Sequence, residues 1–188
     1  MRKIVSCIAV LLALVSGACS GGGDGGDGGG EENLRIHLTD APIDGVRAVN
    51  VTITAVRIHQ SADAGPGAAG WRELPVRAPM PVDLLRLRGG VLYELCRARL
   101  GAGHYQQVRL VVAPTGDTQP YHNSVRTTDG RLHPLEIPSD IKIVHAFRVA
   151  DGTTTDLTLD LRADQSVRQH GNGDYYMQPV VHGASQVH

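Results

Sequence analysis

Apolar residues recur at every second position along most of this chain, and no segment keeps a helical period. Such alternation puts one face of an extended strand in a core and the other in water. In LRIHLTD the apolar set is Leu34, Ile36 and Leu38, and the polar set is Arg35, His37 and Thr39. In VNVTITAVRIH the inward set starts as Val49, Val51, Ile53 and Ala55, then slips phase to Val56 and Ile58, as a β-bulge near Ala55 and Val56 would require. Further strands are predicted over Trp71–Val76, Val82–Leu87, Leu92–Leu100, Tyr105–Ala113 and Ser124–Thr127, then Leu132–Ile137, Ile141–Val149, Thr154–Leu161 and Tyr175–Val181. Between them fall turn signals such as Gly89-Gly90, Asp129-Gly130, Asp151-Gly152 and Gly171-Asn172-Gly173. Many short strands at regular spacing predict an all-β fold, an immunoglobulin-like or transthyretin-like antiparallel β-sandwich.

Ahead of this pattern, Arg2 and Lys3 precede an apolar run from Ile4 to Ala18, which is the pattern of a secretory signal peptide. The run is short of the roughly 20 residues that a spanning helix needs. It ends in Val15-Ser16-Gly17-Ala18-Cys19, which resembles the lipobox of bacterial lipoproteins, with Ser16 where that family usually has leucine. The resemblance implies cleavage behind Ala18, lipidation of Cys19 and anchoring to a membrane through that lipid. Because Ser20 is not aspartate, it also implies the outer membrane of a Gram-negative cell envelope. The alternative is an ordinary cleavage site with an uninvolved cysteine beside it.

Residues from Ser20 to Asn33 are mostly glycine with Asp24, Asp27, Glu31 and Glu32, so the segment has no apolar side chain to offset the entropy of ordering. It reads as a tether with a root-mean-square span of about 20 Å. The chain is thus expected to divide into a signal peptide (1–18), a lipidated cysteine with its flexible tether (19–33) and a single β-sandwich domain (34–188). Taking Arg2 and Lys3 from the 18 basic residues, and the four tether acids from the 19 acidic ones, leaves the domain near neutral. Neutrality, with no basic stripe interleaved with aromatics, argues against nucleic acid as a partner. With Cys7 in the signal and Cys19 in the lipobox, Cys96 is the one cysteine of the domain, so no disulfide is expected inside it. Cys96 shares its alternating face with Leu92, Ala98 and Leu100, which predicts a buried, inert thiol.

The segments LRIHLTDAP, VNVTITAVRIH, LGAGHYQQVRLVV, IPSDIKIVHAFRV and TTDLTLDLRADQSV, with YYMQPVV, resemble in order the family called domain of unknown function 4382. The resemblance spans almost all of Leu34 to Val181 and is most specific at Asp40-Ala41-Pro42 and at the Thr-Asp-Leu-Thr-Leu-Asp strand. It implies an envelope or secreted β-sandwich and supplies no activity.

Function must therefore be sought in side chains. Asp40, just past the first strand, reads as a turn cap or as a metal or ligand contact at a loop rim. Asp156 and Asp160 point away from Leu157, Leu159 and Leu161, with Asp164 following in the turn. Such carboxylates could accept calcium if a loop supplied carbonyls, though outward strand positions are usually polar for solvation alone. No other cofactor is indicated. Of nine histidines, His145 sits between Ile143 and Phe147 and reads as a core histidine, and no pair has the spacing of a helical zinc motif. There is no Gly-x-Ser-x-Gly elbow and no phosphate-cradling loop, so no catalytic residue is assigned. Lys142, the one lysine past the signal, points away from the core.

Three functions fit. The first is a membrane-anchored envelope lipoprotein whose sandwich is a non-catalytic binding module for a protein or glycan partner. Trp71 as the lone tryptophan weighs against the glycan version. The second is a structural, self-assembling surface component that pairs edge strands, and the third is a metal-dependent hydrolase. The loops 61–70 and 114–123 are the segments where a site invisible in one dimension could form.

Overall fold

The computed structural model describes residues 31–188 apart from Ala78 and Ser139. The expected signal peptide, Cys19 and the tether up to Gly30 lie outside the described residues. In chain order the strands are β1 (Leu34–Thr39), β2 (Val46–His59), β3 (Arg72–Pro75), β4 (Pro81–Asp83), β5 (Tyr93–Ala98), β6 (Gly103–Val112) and β7 (Ser124–Thr127). They continue as β8 (Leu132–Glu136), β9 (Ile141–Val149), β10 (Thr155–Asp160), β11 (Val167–Gln169), β12 (Tyr175–Met177) and β13 (His182–Val187), with a 3₁₀ turn at Leu84–Leu87 and a single helical turn, α1, at Ala163–Ser166.

Two sheets form the expected sandwich. The smaller runs β13-β10-β1-β5, and the larger runs β11-β12-β8-β7-β2-β6-β9, with β3 and β4 also on β2. Pairing is mostly antiparallel, as expected, with two parallel pairs that the alternation does not reveal, β1 with β10 and β12 with β8. Parallel neighbours need a long connection. Here β1 and β10 are joined through β2 to β9, which include β5 of the smaller sheet and all of the larger sheet except β11 and β12, so the pair closes the sandwich on itself.

The alternation in β1 holds: Leu34, Ile36 and Leu38 are fully buried, and they face Leu157 and Leu159 of β10 within one continuous core. β2 is the spine of the larger sheet. Its first half pairs β7 and β4, and its second half pairs β6 and β3. The handover occurs at the bulge, where Ile53 faces Val112 and Ala55 faces Val111, leaving Thr54 as the extra residue. The bulge is thus one position earlier than the hydrophobic phase suggests, and it restores burial at Val56 and Ile58.

Other differences have local causes. The expected strand Val82–Leu87 ends after Asp83, whose carboxylate accepts from the Leu85 N–H and caps a 3₁₀ turn that buries Leu84, Leu85 and Leu87. The expected Tyr175–Val181 strand stops at Met177, and the chain turns into β13, whose run HGASQV has too little apolar alternation to announce a strand. Gly183 in β13 is required: a Cβ there would sit 2.6 Å from Cγ of His145, whose half-buried ring fills that space and meets Ser185 through Nε2. Cys96 is 3% exposed, and burial, with the Glu94 carboxylate nearby, pushes its thiol up to about 12. It is the inert thiol expected. Lys142 is exposed, as expected.

Both ends of β1 are fastened by side chains. Asn33, placed in the tether by the sequence, is instead 9% exposed: its Nδ2 donates to the Leu100 carbonyl and its Oδ1 accepts from the Leu100 N–H, both at 2.9 Å. Its main chain also bonds Ala98 and Thr155, so backbone hydrogen bonding to both neighbouring strands reaches back one residue before β1. Asn33→Ala would strip both Leu100 backbone groups of their partner, at about 1–3 kcal/mol for each buried unsatisfied group. A loss of about 2–4 kcal/mol in denaturant unfolding is expected, and a loss under about 0.5 kcal/mol would show that the clamp is not holding β1.

Candidate functional site

The carboxylates singled out in the sequence do not form one ligand set. Asp156 and Asp160 stand four residues apart on β10, about 13 Å along the strand. Asp156 pairs with the His188 imidazole at 3.1 Å, while Asp160 lies at the other end of the strand and accepts from the Arg162 N–H. Asp40 joins Asp160 and Asp164 at that end, where burial chiefly, and the two neighbouring carboxylates to a smaller extent, push its carboxyl up. Among the described residues, no three His, Cys, Asp or Glu side chains are grouped to hold a metal ion.

Asp40 is built into the fold. It is 5% exposed, and its Oδ1 accepts from the Ala163 N–H at 2.7 Å, tying the end of β1 to the start of α1 across 123 residues. Its N–H donates to Leu87, so the Asp-Ala-Pro segment holds three parts of the chain together. Arg162 reaches this junction with φ +42, a conformation costly for a side-chain-bearing residue, and its guanidinium forks onto Asp164 with two bonds of 3.1 Å.

The loop 61–70 is also structural. It wraps Trp71, whose Nε1 donates to the Gly65 carbonyl and whose ring lies under both the Arg57 and Arg109 guanidinium groups, at 5.1 and 5.4 Å. Arg57 and Arg109 in turn donate to the Pro66 and Ala64 carbonyls. The only tryptophan is consumed in fixing a loop on the outer face of β2 and β6.

The other loop, 114–123, makes a cleft. Together with the end of β8 and the tip of the β11–β12 hairpin it encloses about 890 Å³, at the side of the larger sheet away from β9. Tyr121, Tyr175 and His170 contribute rings, Asp117, Glu136 and Asp174 contribute carboxylates, and Pro114, Pro134, Pro138 and Ile137 contribute apolar walls. Tyr175 is held edge-on by His133, and His170 leans on Tyr176 with centroids 4.3 Å apart. Two of the five tyrosines therefore line the cleft and a third braces it.

Both walls are fastened to the frame by buried polar residues. Asn123 is fully buried: its Oδ1 accepts from the Thr52 N–H at 2.9 Å, and its Nδ2 donates to the Ala113 carbonyl and to Thr115 Oγ1. Thr115 Oγ1 then donates to the Leu135 carbonyl, which fixes the loop over β8. Opposite, fully buried Ser166 donates to the Leu161 carbonyl and accepts from the Val180 N–H, both at 2.9 Å. The hairpin tip closes on itself through His170 and Asp174, with Asn172 bonded to Asp174 and Gly173 at φ +96, where a side chain would be strained. The cleft is pre-formed, as ligand sites usually are. The sequence marks loop 114–123 but gives no sign that the hairpin 170–175 stands opposite it; the dense turn in HGNGDYY is the signal that could have pointed there.

Asp40 also sets a pH dependence. Burial, with repulsion from Asp160 and Asp164 and against the pull of the Ala163 and Ala41 N–H groups, pushes its carboxyl up to about 6 from an ordinary 3.8. Between those values the folded chain holds this proton more readily than the unfolded chain does, so this group's contribution to stability falls as pH rises and levels off above about 6. Asp40→Asn keeps an oxygen for the Ala163 N–H and carries no charge. Its stability relative to the parent should therefore rise between about pH 4 and about pH 7 in denaturant unfolding. An equal difference at both pH values would contradict this.

No curated protein and no solved structure matches the chain. A family model described as Domain of unknown function (DUF4382) matches residues 32–179, which take in every strand from β1 to β12 and both walls of the cleft, and the chain is a member of the DUF4382 family.

Proposed function

We propose that this protein is a lipid-anchored component of the cell envelope whose β-sandwich is a non-catalytic binding module, and that the cleft beside β8 is where it takes a protein or glycan partner. The observation that carries the reading is the cleft itself: rings, carboxylates and proline walls converge in one concavity, held in place by Asn123 and Ser166. A pre-organised surface loses little entropy on binding, and that is the use of building loops on a rigid frame. The anchor rests on the segment Val15–Cys19 and its likeness to a lipobox.

The competing readings have less behind them. For self-assembly through edges, the outer face of β9 presents Lys142 and Arg148, charges of the kind that discourage strand addition. For a hydrolase, the carboxyl raised furthest in pKa, Asp40, is buried and already bonded to Ala163.

Two variants test the two halves of the proposal. Cys19→Ala should move the protein from the membrane fraction to the soluble fraction, and unchanged membrane retention would remove the lipid anchor. Tyr121→Ala should weaken retention of the full, detergent-solubilised chain on immobilised envelope material about tenfold, which corresponds to about 1.4 kcal/mol, with the unfolding midpoint unchanged. Equal retention would remove the cleft from the function.

A further inference from the structure

We infer that the ligand of the cleft is a cationic glycan, an oligomer of amino sugars with free amines. The inference rests on the cleft being the binding site and names what that site selects. Its first support is charge. The described residues lining the cleft carry three carboxylates, on Asp117, Glu136 and Asp174, and include no lysine or arginine. In a concave site such a set raises the local concentration of cations and repels uronic acids, phosphates and sulfates.

The second support is the pairing of those carboxylates with rings. Tyr121, Tyr175 and His170 line the cleft beside those carboxylates, and aromatic rings pack on the C–H side of a sugar ring, with an added cation–π attraction where a tyrosine meets an amine. A volume of about 890 Å³ lies near the top of the ~300–1,000 Å³ range of ligand pockets, so the cleft has room for more than one ring.

The third support separates a glycan from a basic peptide. An extended peptide docks best by adding to a strand edge through main-chain hydrogen bonds. Proline has no N–H to give, Pro114, Pro134 and Pro138 are among the lining residues, and β8 is already paired on both edges, so the walls present side chains in place of a ladder. Carboxylates and rings between proline walls suit hydroxyls, amines and ring faces.

The test is calorimetric titration of the full chain in mild detergent, at mildly acid pH, with three probes. These are a glucosamine hexamer with free amines, the same hexamer fully N-acetylated, and an oligolysine. The free-amine hexamer should bind at least tenfold more tightly than the acetylated one and more tightly than oligolysine. Its affinity should fall with added salt, and about tenfold in each of Glu136→Gln and Tyr121→Ala. Glu136 is exposed, and Tyr121 is half-buried in the cleft wall and outside the core cluster, so folding should survive both changes. Equal affinity for the two hexamers would overturn the cationic class in favour of a neutral glycan. Oligolysine binding as tightly as the amine hexamer would overturn it in favour of a peptide. If no probe binds, retention on envelope material decides where the failure lies: a loss in Tyr121→Ala would leave the cleft standing and sink only the ligand class, and no loss would sink both.

Discussion

A backbone N–H or C=O that enters a core must find a partner there, and this fold meets that constraint with a few buried polar side chains at the points where strands become loops. Asn33 satisfies Leu100 at the start of β1, and Asp40 satisfies Ala163 at its end. Between them β1 is bonded along both edges, to β10 and to β5. Residues far apart in the chain are thereby fixed in one register, and the slow, non-local parallel pairing of β1 with β10 is what completes the smaller sheet.

The same device positions the cleft. Asn123 and Ser166, both fully buried side chains, each join a wall to the frame through buried or part-buried bonds, so the cleft inherits the rigidity of the sandwich. Losing one partner of such a bond costs more than a typical hydrogen bond is worth, because the other partner stays buried. Exposed groups around the cleft can vary at small cost by comparison. A fold that spends its polar residues inside on anchoring leaves its surface loops free to carry recognition. The distribution of rings follows the same division: Trp71 and Tyr105 serve structure, one under two guanidinium groups and the other stacked on Phe147, while Tyr121 and Tyr175 face the cleft.

Much of the frame was legible in the sequence, because alternation records which face is buried. β1, β9 and β10 read directly, and the phase slip in β2 announced a bulge within one residue of Thr54. The 3₁₀ turn at Leu84–Leu87 was hidden because three leucines in a row of four mimic a buried strand. β11 and β13 were hidden because they are short or polar and are held mainly by ladder bonds. The parallel pairing has no local signature at all. Asp40 was legible as a fastening residue, but its partner lies 123 residues away. The cleft was not legible, since loop 114–123, the end of β8 and the β11–β12 hairpin are separate stretches of the chain that meet only in the folded sheet.

The central claim is that four buried side chains tie β1 and both walls of the cleft into one rigid unit, and native-state hydrogen exchange tests it most directly. The amides to follow are those of Leu100, Ala163, Thr52 and Val180, which donate to Asn33, Asp40, Asn123 and Ser166. All four are expected to exchange as slowly as the amides of β1 and β2, through global unfolding. Fast, loop-like exchange at Thr52 and Val180, with β1 still protected, would show that the cleft walls open independently of the frame and would contradict the account.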